Sequence, residues 1–113
     1  MSRIYKILPR VDWEAALAAG LFEGSPADHA DGFIHFSNGP QTAGTARRHF
    51  AGQSDLVLLQ VESDDLGRAL RWEASRGGAL FPHLYGPLAT SLVREVYEAP
   101  LGADGIPGIG LLE

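Results

Sequence analysis

The stretch "DLVLLQVE", residues 55–62, contains four consecutive apolar residues, from Leu56 to Leu59. A strand with one face in water alternates apolar and polar side chains, whereas a strand covered on both faces reads as an unbroken apolar run. The stretch therefore predicts a strand in the middle of a sheet.

The segments that precede this strand alternate between strand and helix patterns. They are a strand in "RIYKIL" (3–8), a short helix in "DWEAALAAG" (12–20), a strand in "GFIHFS" (32–37) and a second helix in "NGPQTAGTARRHFAG" (38–52). In the first helix, Asp12 suits the N-cap and Gly20 suits a left-handed C-terminal cap. The linking stretch "LFEGSPADHADG" (21–32) is rich in turn formers and predicts a loop.

The segments that follow the central strand contain no helix pattern longer than one turn. Residues 70–88 predict an irregular stretch with strand-like pieces, because Pro82 and Pro87 exclude a helix. "SLVREVYEAPL" (91–101) predicts an edge strand, since its polar residues fall on both faces.

The order of these elements indicates an α+β domain with a strongly bent, mixed or antiparallel sheet and two to three short helices, because the helices come early and the strands late. The 113 residues suffice for one core, so we expect a single domain over 1–113. Its folded part should be 1–101, followed by a glycine-rich and loosely ordered tail at 102–113.

The composition excludes several classes of function. The net charge is −5, from 14 acidic and 9 basic residues, which argues against general nucleic-acid binding. No apolar run approaches the roughly 20 residues that span a bilayer. The absence of cysteine excludes disulfides, thiolate catalysis and cysteine-ligated metals, and makes the cytoplasm the expected compartment.

Two of the four histidines stand in apolar settings, His35 in "DGFIHFS" and His83 in "FPHLYGP". His35 and Ser37 share one face of their strand and should stand about 7 Å apart, so that together they suit a hydroxylated ligand such as a ribose. The alternative is a packed histidine bonded to a backbone carbonyl, with Ser37 capping the next helix.

The segment around His83 offers further candidate site residues. Phe81 and Tyr85 suit the aromatic walls of a site for a flat ring, although a rigid loop that plugs the end of a sheet explains them equally. Glu73 follows Trp72, and a carboxyl group beside a large apolar ring is expected to have a raised pKa and to act as an acid or base. The alternative is a Glu73 paired with Arg71 or Arg76.

Other patterns carry less chemistry. Lys6 lies among apolar neighbours, and we expect its stem to lie on the sheet while its amine reaches water. The histidines show no HxxxH, HxH or HExxH spacing, so no metal site is expected. No GxSxG, GxGxxG or GxxxxGK[ST] motif is present either.

The segments "IYKI", "DGFIHFS", "LVLLQV", "WE" and "FPHLYGPL" together resemble domain-of-unknown-function family 952, a group of small, mostly bacterial proteins. The resemblance extends to about Leu101. That family has no established activity, so the resemblance alone implies no function.

The motif order is also similar to the core of the RNA 2′-phosphotransferases and, through them, of the ADP-ribosyltransferases. This resemblance matches Tyr5 with the tyrosine of their first strand, and His35 and Ser37 with their second motif. Lys6 stands where that family has a histidine, so the pattern that grips NAD is incomplete. Either Glu73 or Glu95 matches the glutamate near their last strands.

The second resemblance implies two small sheets around a cleft that binds NAD. His35 and Ser37 would hold the ribose, Tyr85 or Phe81 would stack on the nicotinamide, and Arg47, Arg71 or Lys6 would meet the pyrophosphate. The candidate catalytic residues are His35, Glu73 and His83. The candidate ligand-binding residues are Tyr5, Lys6, Ser37, Trp72 and Tyr85.

The function expected from these resemblances is a pocket for a nucleotide-type ligand, in a transferase acting on NAD or on an ADP-ribosylated or phosphorylated ribose. The alternative is a non-catalytic domain that binds a small molecule, or a protein partner through the "FPHLYGP" segment.

Overall fold

The structure is a computed structural model that describes residues 2–109. Its strands and helices run in the order β1 (Arg3–Pro9), α1 (Arg10–Ala19), β2 (Leu21–Phe22), α2 (Pro26–Asp31), β3 (Ile34–His35), β4 (Ser37–Asn38), α3 (Gly39–His49), β5 (Leu56–Glu62), β6 (Leu70–Ala74), β7 (Leu80–Leu84), β8 (Leu88–Ala89) and β9 (Val93–Ala99). Short 3₁₀ segments at Ser63–Ala69, Arg76–Gly78 and Thr90–Leu92 complete the described elements.

The main sheet has four antiparallel strands in the order β4-β1-β5-β9. Leu56–Val61 of β5 is buried along its whole length, and the strand lies between β1 and β9. The prediction of a central strand covered on both faces is confirmed, as is the edge position of the last strand. β4 pairs with Ile4 and Tyr5, and within residues 2–109 no strand pairs with the same edge of β1 from Lys6 onward.

Two further antiparallel sheets complete the architecture, one with the order β3-β7-β6 and one formed by β2 and β8. The predicted strand at 32–37 is divided between two sheets, because Ile34–His35 pairs with β7 while Ser37–Asn38 pairs with β1. Phe36 lies at the crossing, is buried, and donates its amide hydrogen to the carbonyl of Pro82. The buried Phe36 ring thus anchors the point where the chain leaves one sheet for the other.

The segment around Pro82, predicted as irregular, forms the central strand of the three-stranded sheet. Whether a proline is tolerated at this position depends on the side of the strand that its missing amide hydrogen would face. The Pro82 carbonyl faces Phe36, and the nitrogen of the same residue faces the same side in an extended strand. Phe36, the residue that faces Pro82 on that side, lies between β3 and β4 and belongs to neither strand.

The helices differ from their predicted bounds. α1 begins at Arg10 after Pro9, so Asp12 lies inside the first turn and does not cap it, whereas Gly20 ends the helix at φ 83° as expected. α2 was predicted as loop. It begins with a reciprocal capping box, in which Ser25 accepts from the Asp28 amide and Asp28 accepts from the Ser25 amide.

The core lies on both faces of the main sheet. One face packs against α1 through Trp13 and Ala16, and the other packs against α3 through Ala46. The residues expected in a loose tail fold back as far as they are described: Leu101 bridges to Pro107, and Ile106 packs against the core on the α3 side of the main sheet. Residues 110–113 of that predicted tail lie outside the described residues.

No helix within residues 2–109 combines the length and the apolar character that crossing a bilayer requires.

Candidate functional site

A cleft of about 560 Å³ opens beside the unpaired edge of β1, where α2, α3 and the crossing from β3 to β4 come together. Its volume lies within the range of small-molecule sites, roughly 300–1,000 Å³. Five of the residues predicted from the sequence line this cleft: Tyr5, Lys6, His35, Ser37 and His83. Phe81, expected as an aromatic wall, also lines it.

Asp28 on α2 is the centre of the polar wall of the cleft. Its side chain is 3% exposed, and its oxygens contact the Lys6 amine at 3.1 and 3.4 Å. Oδ1 also accepts from the backbone amide of His35 at 3.1 Å and lies 2.5 Å from His35 Nδ1, while Oδ2 accepts from the Ser25 amide at 2.8 Å. One carboxylate thus joins β1, the start of α2 and β3.

These contacts decide the charge of Asp28. Burial alone raises the pKa of its carboxyl group, because an ion is poorly solvated in the interior. The hydrogen bond from His35, the charge of Lys6 and the amides of Ser25 and His35 outweigh burial, so the pKa of Asp28 falls well below its ordinary value. Asp28 is therefore ionised over the whole neutral range.

The amine of Lys6 does not reach water, contrary to the expectation from its strand pattern. Lys6 is 7% exposed, and Nζ donates to the His35 carbonyl at 2.9 Å besides contacting Asp28. Burial lowers the pKa of Lys6, and the Asp28 carboxylate offsets part of that effect. The lysine lines the cleft, but its charge is already engaged by the protein.

His35 stands between two carboxylates. Nδ1 faces Asp28 at 2.5 Å and Nε2 faces Asp31 at 2.8 Å, and both acids lie on α2. The alternative of a histidine bonded to a backbone carbonyl is thus wrong for the ring, because its partners are side chains. Ser37 does not cap the following helix either: its hydroxyl lies 2.7 Å from that of Thr45, and Asn38 supplies the cap.

Glu73, His83 and Tyr85 form a second polar cluster. Glu73 Oε1 receives hydrogen bonds from His83 Nδ1 at 2.8 Å and from the Tyr85 hydroxyl at 2.7 Å. His83 lines the cleft, whereas Glu73 and Tyr85 do not. Glu73 therefore contacts His83 from outside the lining of the cleft.

The surroundings of Glu73 correct a sequence-based expectation. Proximity to Trp72 was expected to raise its pKa, but the hydrogen bonds from Tyr85 and then from His83 lower the pKa of Glu73. The same bond raises the pKa of Tyr85, because removing its proton would place two negative charges together. Glu73 is paired with His83 and Tyr85 rather than with Arg71, which lies over the Tyr85 ring at 5.4 Å.

Several other candidates lie away from the cleft. Trp72 is 39% exposed on β6 and faces Pro82 in register, and neither Trp72 nor Glu95 lines the cleft. Glu95 pairs with Gln60 on the edge strand β9. Of the two adjacent arginines on α3, Arg48 lines the cleft and the predicted Arg47 does not.

Sequence reasoning missed Asp28 and Arg48. Asp28 had a visible signal, because "SPAD" at 25–28 has the serine and acid spacing of a capping box, with proline in the first helical turn. The pairing of Asp28 with Lys6 had no local signal, since 22 residues separate them. Arg48 differs from Arg47 only in which side of α3 it occupies.

Residues 2–109 thus form a small α+β protein built from several antiparallel sheets. Residues 7–96 match the family described as "Protein of unknown function (DUF952)", and the chain belongs to this family.

Solved structures of one relative show the same fold. The chain is 57% identical to protein CC0527 from Caulobacter crescentus in its crystal structure, with a TM-score of 0.92 over 94% of this chain and 93% of that chain. The solution NMR structure of CC0527 gives 58% identity and a TM-score of 0.85, over 95% and 92% of the two chains. No curated protein matches the chain.

Proposed function

We propose that the cleft binds a nucleotide-type ligand, namely NAD or an ADP-ribosylated or phosphorylated ribose. The observation that carries the proposal is the meeting of His35, Ser37 and His83, from three short strands in two sheets, around one cleft of about 560 Å³. Polar side chains that converge in a cleft of this size are typical of a small-molecule site.

The lining offers a partner for each part of such a ligand. The hydroxyls of Ser37 and Thr45 suit the hydroxyls of a ribose, and Phe81 suits the face of a flat ring. Arg48, on the last turn of α3, is the exposed cation that suits a phosphate group. Lys6 does not suit this role, because its amine is buried against Asp28.

The transferase is the first candidate, and binding without turnover is the second. The observation that favours binding without turnover is that the amine of Lys6 is already bonded within the protein. The resemblance requires a histidine at this position on the first strand to grip NAD, whereas the Lys6 amine is held by Asp28 and the His35 carbonyl.

Calorimetric titration with ADP-ribose tests the binding proposal, with Arg48→Ala as the variant and Arg47→Ala as its matched control. Both arginines are exposed on the same turn, but only Arg48 lines the cleft. A hydrogen bond to a charged group contributes about 1.5–3 kcal/mol, so Arg48→Ala should weaken binding by roughly 10- to 100-fold. Arg47→Ala should bind like the wild type.

Absence of ADP-ribose binding by the wild type would contradict the proposal, as would equal losses in the two variants. Chromatographic detection of nicotinamide released from NAD then distinguishes a transferase from a binding domain. The transferase releases nicotinamide with a suitable acceptor or water, whereas a binding domain holds the ligand unchanged.

A further inference from the structure

The ring of His83 is fixed on two sides. On one side, its Nδ1 lies 2.8 Å from Glu73 Oε1. On another, the ring of Phe33 stacks on it with a centroid separation of 3.9 Å and an interplanar angle of 22°. The residue is only 5% exposed, and its backbone lies in register with His35 on the neighbouring strand. A histidine held in this way presents one edge in a constant direction.

The partner of Nδ1 determines which ring nitrogen carries the proton. The pKa of Glu73 is lowered, so the carboxylate is ionised at neutral pH and can only accept hydrogen bonds. The contact therefore requires a hydrogen on Nδ1. In the neutral imidazole the other nitrogen, Nε2, then carries a lone pair and acts as an acceptor.

Nε2 of His83 has no hydrogen-bond partner in the described part of the chain, where its ring nitrogen contacts are confined to Glu73. No buried side-chain nitrogen or oxygen of residues 2–109 lacks a partner, so this unpartnered nitrogen must reach solvent. Because His83 is among the residues that line the cleft, the proposal places the accessible edge of Nε2 there.

We infer that His83 is the proton acceptor of the cleft and that Glu73 is the positioning residue that holds its ring for this task. The inference rests on the proposed function. It differs from what the resemblance to ADP-ribosyltransferases implies, since the resemblance makes Glu73 itself a candidate catalytic residue. Here the glutamate lies behind the histidine and outside the cleft lining.

The step assigned to His83 is the activation of an attacking hydroxyl or water. The O–H proton moves to Nε2 while the oxygen forms a bond to C1′ of the nicotinamide-bearing ribose. The bond from C1′ to the pyridinium nitrogen breaks, and its electron pair neutralises the departing nicotinamide. The proton on Nε2 then passes to solvent, so no oxidant, reductant or further reactant is required.

Nitrogen-15 NMR of the histidine rings tests the inference in the wild-type protein. The expected result is a hydrogen on Nδ1, an unprotonated Nε2 in the neutral ring, and a shift of the Nε2 resonance when ADP-ribose is added. In Glu73→Ala the proton is no longer held at Nδ1, and the form with Nε2–H should gain population. A hydrogen on Nε2 in the wild type, or an Nε2 resonance unmoved by bound ADP-ribose, would overturn the inference.

Nicotinamide release from NAD provides the second measurement, with His83→Gln as the variant and the exposed His29→Gln as control. A general base typically contributes about 10²- to 10⁴-fold, so His83→Gln should lose at least about 100-fold while still binding ADP-ribose. His29→Gln should match the wild type, because His29 lies outside the cleft.

The possible failures are distinguishable. A wild-type protein that binds no ADP-ribose removes the proposed function itself. Binding without nicotinamide release, or full release by His83→Gln, removes the role of His83 and leaves the binding cleft in place.

Discussion

The Asp28 cluster (Lys6, Asp28 and His35) and the Glu73 cluster (Glu73, His83 and Tyr85) each hold a histidine of the cleft against a carboxylate. They differ in burial: the Asp28 side chain is 3% exposed, whereas that of Glu73 is 36% exposed. Asp28 also accepts two backbone amides, while Glu73 accepts only side-chain donors.

A carboxylate paired with a histidine therefore has different consequences for stability when it is buried and when it is exposed. Removing the partners of a buried carboxylate lowers the free energy of unfolding, so the Asp28 cluster should stabilise the fold. A half-exposed carboxylate contributes little to folding, because solvent screens it. The Glu73 cluster should therefore contribute less to folding than the Asp28 cluster, and the following variants test this contrast.

The largest expected effect is that of Asp28→Ala. This change leaves the buried amine of Lys6 without a counter-charge, and breaking a buried ion pair in this way costs about 3–5 kcal/mol in the free energy of unfolding. Urea denaturation checks the value. Asp31→Ala is the matched control, because Asp31 also contacts His35 but is exposed. Equal losses for the two variants would contradict the structural role of Asp28.

The second effect is a dependence of the stability on pH in the acid range. The folded-state pKa of Asp28 is lowered, so its contribution is complete above the unfolded pKa, near 3.9, and is lost as the pH falls below that value. One such group contributes at most about 1.4 kcal/mol per pH unit. Urea midpoints between pH 5 and 2 should fall less steeply in Asp28→Asn than in the wild type. Parallel slopes would contradict this assignment.

The third effect concerns the start of α2, which places Asp28. Ser25→Ala removes the hydroxyl that accepts from the Asp28 amide, and loss of such a cap costs about 1 kcal/mol. Thermal unfolding with Ser54→Ala as control checks this, since residue 54 lies outside every helix and strand. A loss no greater than that of the control would show that the capping box does not hold α2.

The smallest expected effect is that of Glu73→Ala on stability. Its carboxylate is half-exposed, so the urea midpoint should remain close to that of the wild type even though the hydrogen bonds to His83 and Tyr85 are lost. A loss comparable to that of Asp28→Ala would place both clusters in the same structural class and end the contrast between them.

The sequence was informative wherever the pattern was local. The apolar run at 56–59 predicted the central strand, and the mixed faces of residues 91–101 predicted the edge strand. The sequence was uninformative where two arrangements of the strands share one pattern of apolar and polar residues. Residues 32–37 alternate identically whether they stay in one sheet or change sheets. The two arrangements differ in the pairing partners, β7 for Ile34–His35 and β1 for Ser37–Asn38, which are distant in the sequence.

The candidate site likewise contains residues that the sequence predicted and residues that it did not. His35, Ser37 and His83 were found because polar side chains in apolar segments stand out, and the structure brings all three to one cleft. The partner of His35 and Lys6 was not found, because Asp28 reaches them through the fold and not through sequence spacing. Trp72, a candidate ligand-binding residue, is the sequence neighbour of Glu73, but adjacent residues of a strand face opposite sides of the sheet.

An NMR titration of the wild-type protein with ADP-ribose, observing the amide, imidazole and indole resonances together, tests whether the cleft is a nucleotide-type site. We expect saturable shifts at Ser37, His35 and His83, with the Trp72 indole and the Glu95 amide unmoved, because the last two lie outside the cleft. Shifts confined to Trp72 or β9, or no saturable shift in the cleft, would contradict the claim that residues 35, 37 and 83 line a nucleotide-type site.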